Sequence, residues 1–364
     1  MHNLKIYRSI LLSLLRIPSY LFYLVFQKKI DGIILINESS AWVIDDISRT
    51  IKSMLGGIFN IKIDLLPFFY SNKIIHYGSI HSITKNRSIF LGRGNKVIIS
   101  IYHVDIQNNE FKSKISFLLK NISEISLIIV PNAALYKWFV ENNFPAKKIL
   151  LIPIAYDGVR FNGLSYGKKI FREKYDIPRE KLIVGSFQKD GNNWGDGLMP
   201  KYIKGPDIFI DVLEKISKIY NICCLLTGPS RGYVISQLKS RNIGYIYYDA
   251  TKDQLPELYA CLDFYLITSR IEGGPKGLME AMASGVPVVS TKVGMATDII
   301  QHAQNGMINN VEDVGGLVCS VCELLDNDLL KDKLINNASN CINQYSWDVI
   351  IKKYDDLYKG LIVE

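Results

Sequence analysis

Residues 269–288 read SRIEGGPKGLMEAMASGVPV, and the rest of the chain is organised around this stretch. A glycine-rich turn at 272–275 comes first. Good helix formers follow over 277–283, and Gly285 ends the predicted helix. The apolar run 286–289 then predicts a buried parallel strand. The stretch therefore indicates part of an α/β fold with a parallel sheet.

The turn and the helix start have the composition of an anion-binding site. A turn without bulky side chains lets backbone N–H groups approach an anion, and the helix dipole favours negative charge there. The residues that would form this site are consecutive: Gly273, Gly274, Pro275, Lys276 and Gly277.

Two carboxylates, Glu272 and Glu280, bracket this helix start. An acid beside a phosphate repels it unless the carboxylate accepts hydrogen bonds from hydroxyls. The pair therefore suggests a ligand with both phosphate groups and sugar hydroxyls, which is the chemistry of a nucleotide-sugar. The alternative is structural: Glu272 caps the helix and Glu280 is a solvated surface charge, because one glycine-rich turn alone is weak evidence.

Length and composition place the chain among globular proteins. Its 364 residues suit two domains, and 48% hydrophobic with 21% charged residues suffices for ample cores. The net charge of +8 fits an anionic membrane surface, a phosphate-bearing substrate or nucleic acid. Lys and Arg are not clustered among aromatic residues, which argues against a nucleic-acid partner.

The cysteines suggest a reducing compartment and no metal site. All 6 lie in the second half of the chain, which does not suit a disulfide framework. Cys319 and Cys322 form a C-x-x-C within an apolar run, for which core packing is the better interpretation. The single D-x-D, at Asp326 and Asp328, is explained by a helix-cap turn. We therefore expect a cytoplasmic protein without a bound metal.

Residues 1–30 are basic and apolar, with no acid before Asp31. A signal peptide fits poorly because Arg16 and Pro18 interrupt the apolar region and no small-residue cleavage site follows. A spanning helix over 9–26 would be short and would hold both a charge and a proline. A helix–break–helix lying in the membrane interface fits best, and packing on the first domain is the alternative.

Apolar runs alternate with helical patterns along the chain, which predicts parallel, doubly wound sheets. The predicted strands are 32–36, 61–65, 88–91, 96–101, 126–130 and 149–154 in the first half, and 182–187, 222–226, 244–248, 264–268 and 286–289 in the second.

Three further residues follow strand ends or precede a helix. His103 comes after the strand at 96–101, at the edge where parallel sheets bind ligands. Lys204 stands just before the helix predicted from Ile208, a position suited to phosphate. Lys189 lies in the same long loop as Lys204. The alternative for each is a structural histidine or a solvated lysine.

With these residues assembled, the second half resembles the retaining GT-B glycosyltransferases of family 4, the glycosyl transferases group 1. The resemblance covers roughly 149–358, and the first half matches mainly in layout. Its motifs are I-P-x-x-x-D-G-V-x-F, K-G-P-D, L-T-G-P-x-R-G, T-S-R-x-E-G-G-P-K, E-A-M-A-S-G-x-P-V-V-S-T and a terminal S-W-D.

The resemblance implies two Rossmann-like domains that face each other across a cleft. Residues 31–160 would form the acceptor-side domain and 161–345 the nucleotide-sugar-binding domain. The helix at 346–364 would cross back to the first domain, and 1–30 would be a membrane-associated segment.

The resemblance also assigns roles. Lys204 would neutralise the departing nucleoside diphosphate, Glu272 would lie near the hydroxyls of the transferred sugar, and His103 would contact that sugar. Glu280 would accept from the ribose hydroxyls. The backbone of 273–277 would bind the pyrophosphate, with Lys189 nearby.

The implied reaction moves a sugar from a UDP-sugar or GDP-sugar to a glycan or lipid-linked acceptor, with retention of anomeric configuration. No metal or other cofactor would take part. The setting would be surface polysaccharide or glycolipid synthesis at the inner face of the cell membrane.

Three departures from the family pattern keep alternatives open. An aromatic–glycine pair is Gly274-Pro275 here, an arginine after the strand at 182–185 is Ser186, and a first-domain glycine loop is 37–40. A non-catalytic nucleotide-sugar-binding scaffold and a GT-B phosphorylase or hydrolase are the competing functions. Lys189 is the candidate substitute for the missing arginine.

Overall fold

The computed structural model describes residues 10–11, 14, 16–17, 29–38, 42–86, 94–163, 167–192 and 195–363. They form two compact units. Unit 1 comprises the described residues up to Ile152 together with those from Ile350, and unit 2 is Pro153–Val349. The division at Ile152 precedes the boundary expected at 160. Most of the N-terminal segment at 1–30 lies outside the described residues.

Unit 1 is built on a parallel sheet with strand order β2-β1-β3-β4-β5-β6. Runs of Ile, Val and Leu form most of these strands, as expected for a sheet that is covered on both faces. The strands are β1 Ile33–Ile36, β2 Ile61–Asp64, β3 Ile74–Tyr77, β4 Lys96–Ser100, β5 Leu127–Val130 and β6 Ile149–Leu151.

Strand β3 was not predicted from the sequence, and the strand expected at 88–91 lies outside the described residues. The apolar run of β3 is only four residues long and includes the polar His76. Because His76 is buried in spite of its polarity, the hydropathy pattern missed the strand.

Two helices of unit 1, α3 and α4, start at asparagine caps. Asn108 accepts from the backbone N–H groups of Glu110 and Phe111, and Asn132 accepts from that of Leu135. The helices are α1 Trp42–Leu55, α2 Ile80–Asn86, α3 Asn109–Lys120 and α4 Ala133–Glu141.

Unit 2 contains a second parallel sheet, with strand order β12-β11-β10-β7-β8-β9. Strands β8 and β9 extend the sheet on one side of β7, and β11 and β12 extend it on the other side, beyond β10. The strand order therefore reverses between β7 and β10. Open α/β sheets bind ligands at such a switch point. The strands are β7 Leu182–Phe187, β8 Ile222–Thr227, β9 Gly244–Tyr248, β10 Phe264–Ile267, β11 Val288–Thr291 and β12 Met307–Asn309.

Helices connect these strands, and a 3-10 turn at Tyr202–Lys204 ends the long loop after β7. The helices are α5 Gly158–Phe161, α6 Lys168–Lys174, α7 Pro206–Ile216, α8 Gly232–Ser240, α9 Leu255–Ala260, α10 Lys276–Ala283, α11 Ala296–Ile299, α12 Val314–Asp326 and α13 Asp328–Ile342. Cys319 is exposed on α12, so core packing was the wrong prediction for it. Asn327 caps α13, as the D-N-D sequence suggested.

The last helix, α14, runs from Trp347 to Val363, and its residues from Ile350 onward belong to unit 1. Its Tyr358 hydroxyl lies 2.8 Å from His76 Nδ1 on β3. The other ring nitrogen of His76 lies 2.9 Å from Ser100 Oγ on β4. Of the helices in the described ranges, none combines the length and the apolar character that crossing a membrane needs.

Candidate functional site

Most of the predicted site residues lie at the switch point of unit 2. Lys189 follows β7, and Glu272 follows β10. Lys204 lies at the start of α7, and Glu280 lies on α10. His103 belongs to unit 1, where it follows β4 and its ring centroid lies 5.8 Å from that of Phe111.

Lys204 and Glu272 form an ion pair between the Nζ atom and Oε1. The hydroxyl of Ser269 donates to the same carboxylate oxygen at 3.1 Å. The side chains of Lys204 and Glu272 are 22% and 12% exposed, so the pair is shielded but still open to a ligand. Glu272 is not the helix cap that the structural alternative required, because Pro275 occupies the N-cap of α10.

The backbone brings Lys204 to Glu272 through a close crossing of two segments. Gly205 has φ +62°, and a Cβ there would overlap the carbonyl of Thr268. The Thr268 hydroxyl donates to the Gly205 carbonyl at 2.8 Å, and the Arg270 N–H donates to the Ile203 carbonyl at 2.9 Å. The K-G-P-D segment therefore lies directly against the end of β10.

Arg270 stabilises this crossing from the side. Its guanidinium donates to both carboxylate oxygens of Asp207 at 2.7 Å and also binds Glu312. Burial pushes the pKa of Asp207 upward, but the hydrogen bonds and charge of Arg270 outweigh burial and lower it. Asp207 therefore stays ionised at the first turn of α7.

The glycine turn is packed tightly beneath the start of α10. A Cβ on Gly274 would lie 2.5 Å from Met295 Sδ, and the Met295 N–H donates to the Gly273 carbonyl at 3.0 Å. Pro275 has φ −66°, and its carbonyl accepts from Leu278 at 2.9 Å. The first turn of α10 thus begins at the glycine turn, and the N–H groups of a first turn have no intrahelical acceptor.

Glu280 is not a solvated surface charge. Its Oε2 accepts a hydrogen bond from the Tyr259 hydroxyl at 3.0 Å, and Tyr259 is fully buried. The carboxylate therefore has a buried hydrogen-bond partner, and it lies on the same helix as Lys276 and Gly277.

Arg231, which was not among the predicted site residues, lies beside Ser186. Its guanidinium donates to the carbonyls of Ser186, Gln188 and Thr227 at 2.7, 2.8 and 3.1 Å. It also lies 3.1 Å from the carboxylate of Asp190, and each of these two side chains is 1% exposed. Burial raises the pKa of Asp190 in spite of this positive neighbour. Arg231 therefore fixes the loop after β7 from within.

Lys201 was also missed, although it stands in the same P-K-Y-I-K-G segment as Lys204. Burial lowers its pKa first, and the positive charges of Lys204 and Lys189 lower it further. Burial likewise lowers the pKa of Lys189. The sequence did carry a signal for Lys201, because it is the third lysine in a loop whose other two, Lys189 and Lys204, were predicted site residues. In the part of the chain that is described, no three His, Cys, Asp or Glu side chains are grouped to hold a metal ion.

Comparison with known proteins identifies relatives of this region. Residues 199–340 match the family model for glycosyl transferases group 1. The chain is 27% identical over 159 residues to N-acetyl-alpha-D-glucosaminyl L-malate synthase of Bacillus anthracis, covering 42% of each chain. It is 27% identical over 178 residues to the O-antigen biosynthesis glycosyltransferase WclY of Escherichia coli, covering 48% of this chain and 45% of that one. These matches span less than half the length of either relative.

Solved structures agree with the fold. The Anabaena protein Alr3699/HepE, crystallised with UDP and glucose, superposes with a TM-score of 0.72 at 15% identity, covering 90% of this chain and 99% of that one. At this identity the likeness concerns the fold alone. Both units have the Rossmann-like α/β architecture of a GT-B fold, and residues 199–340 match the family of glycosyl transferases group 1.

Proposed function

We propose that the protein is a retaining glycosyltransferase of family 4. It transfers a sugar from a nucleoside-diphosphate sugar to a glycan or a lipid-linked acceptor in surface polysaccharide synthesis. The observation that carries the proposal is the Lys204–Glu272 pair at the switch point, next to the start of α10 and Glu280. This arrangement offers positive charge and carboxylates to one ligand, as a nucleotide-sugar requires.

The donor would bind with its pyrophosphate at the start of α10. The backbone of Gly273, Gly274 and Gly277, with Lys276 in the first turn, would face the phosphate oxygens. The Glu280 carboxylate would accept from the ribose hydroxyls.

Lys204 would exchange partners when the donor binds. In the ligand-free protein its ammonium is neutralised by Glu272. A phosphate group would draw Lys204 away, which frees Glu272 to accept from the hydroxyls of the transferred sugar. As the sugar leaves, Lys204 would stabilise the charge that develops on the diphosphate.

The acceptor hydroxyl would attack from the face that the diphosphate leaves, and a phosphate oxygen would take its proton. This mechanism preserves anomeric configuration. His103, in unit 1, would contact the donor sugar. Lys189, Lys201 and Lys204 would supply the positive charge at the diphosphate, so we propose that transfer from a UDP-sugar or GDP-sugar needs no metal.

Peripheral contact with the cytoplasmic face of the membrane is part of the proposal. The described residues Ile10, Leu11 and Leu14 are exposed and apolar. Arg16 binds the Asp64 carboxylate, and its guanidinium lies 4.2 Å from the centroid of the Tyr70 ring. An apolar surface anchored in this way beside the basic N-terminal sequence suits an anionic lipid surface.

The test begins with a thermal-shift panel of nucleoside diphosphates and their sugars. A ligand at a hundred times its dissociation constant adds about 2.7 kcal/mol of stability, which a melting curve resolves. Transfer is then measured with the selected donor, with and without EDTA. We expect Lys204→Ala and Glu280→Ala each to reduce transfer more than tenfold. The first removes the ammonium group that would neutralise the diphosphate, and the second removes the carboxylate that would accept hydrogen bonds from the ribose hydroxyls.

Lys218→Ala and Glu323→Ala are the matched controls, since Lys218 follows the C-terminal end of α7 and Glu323 lies on α12, both away from the switch point. They should transfer at the wild-type rate. Full activity of Lys204→Ala would eliminate the assigned site. Binding without turnover would favour the scaffold alternative, and release of free sugar without acceptor would favour a hydrolase.

A further inference from the structure

Tyr259 is a fully buried tyrosine whose hydroxyl is committed to a carboxylate of the proposed site. It lies on α9, 21 positions before Glu280, and donates to Glu280 Oε2 at 3.0 Å. A buried tyrosine hydroxyl needs a partner, because an unsatisfied one costs the full free energy of its desolvation. The fold therefore fixes one oxygen of Glu280 whether or not a ligand is present.

An aromatic cluster holds Tyr259 in place. Its ring centroid lies 4.6 Å from that of Phe187 and 5.4 Å from that of Tyr265. The Tyr265 hydroxyl accepts from the Phe187 N–H at 3.0 Å, at the end of β7. Since Phe187 ends the central strand of the switch point, the cluster connects that strand to Glu280 on α10.

The geometry leaves Tyr259 little freedom to move. A Cβ on Gly277 would lie 3.0 Å from the Tyr259 hydroxyl oxygen and would overlap that of Tyr265. Gly277 therefore makes room for two tyrosine hydroxyls beneath the start of α10.

We propose that Tyr259 is a positioning residue for Glu280, and that it sets the preference of the site for a ribose over a deoxyribose nucleotide. Its hydroxyl holds one carboxylate oxygen, which selects the side-chain conformation that presents the other oxygen to the ribose hydroxyls. The inference rests on the proposed function, in which Glu280 binds the donor ribose. Tyr259 itself does not touch the ligand.

The experiment measures dissociation constants of the full chain by calorimetry, for UDP and for 2′,3′-dideoxy-UDP, which lacks both ribose hydroxyls. If the protein selects GDP, the guanosine pair replaces these probes. We expect the wild type to prefer the ribonucleotide by at least tenfold. Tyr259→Phe should lower this preference by about threefold to tenfold, the effect of loosening a hydrogen bond to a charged group.

The affinity for dideoxy-UDP should stay the same in Tyr259→Phe, which shows that the phosphate site and the fold are intact. Tyr220→Phe is the matched control, because it also removes a tyrosine hydroxyl that binds a carboxylate, that of Asp326, elsewhere in unit 2. It should keep the wild-type preference. In a Glu280→Gln background, Tyr259→Phe should change the preference by less than twofold.

An unchanged preference in a folded Tyr259→Phe protein would overturn the inference and leave the proposed function standing. A change of equal size in the Glu280→Gln background would also overturn it, since Tyr259 would then act through another group. If the wild type binds neither UDP nor GDP, the proposed function fails, and this inference fails with it.

Discussion

At the scale of single residues, the site depends on contacts made by atoms that never meet the ligand. Gly277 and Gly315 allow a direct comparison, because Gly277 is the second residue of α10 and Gly315 is the second residue of α12. A Cβ on Gly277 would meet two buried tyrosine hydroxyls, whereas one on Gly315 would meet only Asp313 Oδ1, at 3.8 Å. The same substitution therefore has different consequences at equivalent helical positions.

We expect Gly315→Ala to be neutral or to stabilise the protein by up to about 1 kcal/mol, because alanine restricts the unfolded chain. Gly277→Ala should destabilise it by about 1–3 kcal/mol, because the added methyl group overpacks the cluster. It should also weaken binding of the nucleoside diphosphate. Free energies of unfolding from urea titrations provide the comparison. Equal effects of the two substitutions would show that the tyrosines yield to the methyl group.

The spacing of Glu272 and Glu280 and the position of Lys204 before its helix were predictable, because each belongs to a local motif. Tyr259 and Arg231 were not, because their partners lie 21 and 45 positions away. Both are ordinary residues in sequence, and only the fold shows that each is buried against a site residue or its loop. The roles of the predicted site residues stay predictions until they are measured.

At the scale of elements, the long loop after β7 is held by specific hydrogen bonds although most of it lacks regular secondary structure. Its neck is closed by a hydrogen bond from the Lys201 N–H to the Asp190 carbonyl at 2.7 Å. The first N–H groups of α8, from Gly232 and Tyr233, donate to the carbonyls of Asp196 and Gly197 at 2.8 Å. The carbonyl groups of the loop thus bind the first N–H groups of α8, and Arg231 hydrogen-bonds to the carbonyls where the loop leaves β7.

Arg231→Lys should destabilise unit 2 by about 2–4 kcal/mol, because lysine keeps the charge but cannot reproduce the fork that binds three carbonyls. The affinity for the nucleoside diphosphate should also fall, since Lys189 and Lys201 lie on the released loop. Arg241→Lys is the matched control, because Arg241 binds Glu214 near the surface. It should change stability by less than about 1 kcal/mol. Denaturant titrations of both variants make the test.

The elements that sequence patterns missed share a physical reason. Strand β3 is four residues long and includes a buried histidine, and β12 has only three residues. Such short strands gain their stability from neighbours in the sheet, so the local sequence carries little signal. The longer apolar runs of β7 and β8 alternate with amphipathic helices. This alternation made the α/β architecture predictable from the sequence.

At the scale of the whole chain, the C-terminal helix is tied to a strand that precedes it by most of the sequence. Tyr358 and His76 are separated by 282 positions, and their side chains are hydrogen-bonded in the core of unit 1. Burial lowers the pKa of His76 from its ordinary value of 6.5 to about 3. The ring is therefore neutral in the folded protein at every physiological pH.

This burial predicts an acid sensitivity of unit 1. Below pH 6.5 the unfolded chain binds a proton at His76 while the folded unit does not, so stability falls as pH decreases toward 3. The slope from this group approaches about 1.4 kcal/mol per pH unit. Above pH 6.5 neither state is protonated at His76, and the contribution is constant. His76→Gln should destabilise unit 1 at pH 7, because glutamine cannot reproduce both hydrogen bonds. The variant should lack the pH dependence of stability that His76 causes, because glutamine does not titrate.

The stability gap between the wild type and His76→Gln should therefore narrow by about 1.6 kcal/mol between pH 6.5 and pH 5. Hydrogen exchange of peptides from β3 and β4, corrected for intrinsic rates at each pH, reports the opening free energy of this unit directly. Tyr358→Phe provides the control, because it removes the hydroxyl but leaves the histidine buried, and so should keep the wild-type slope. A gap that stays constant over this range would mean that His76 takes up its proton without opening the helix from the sheet.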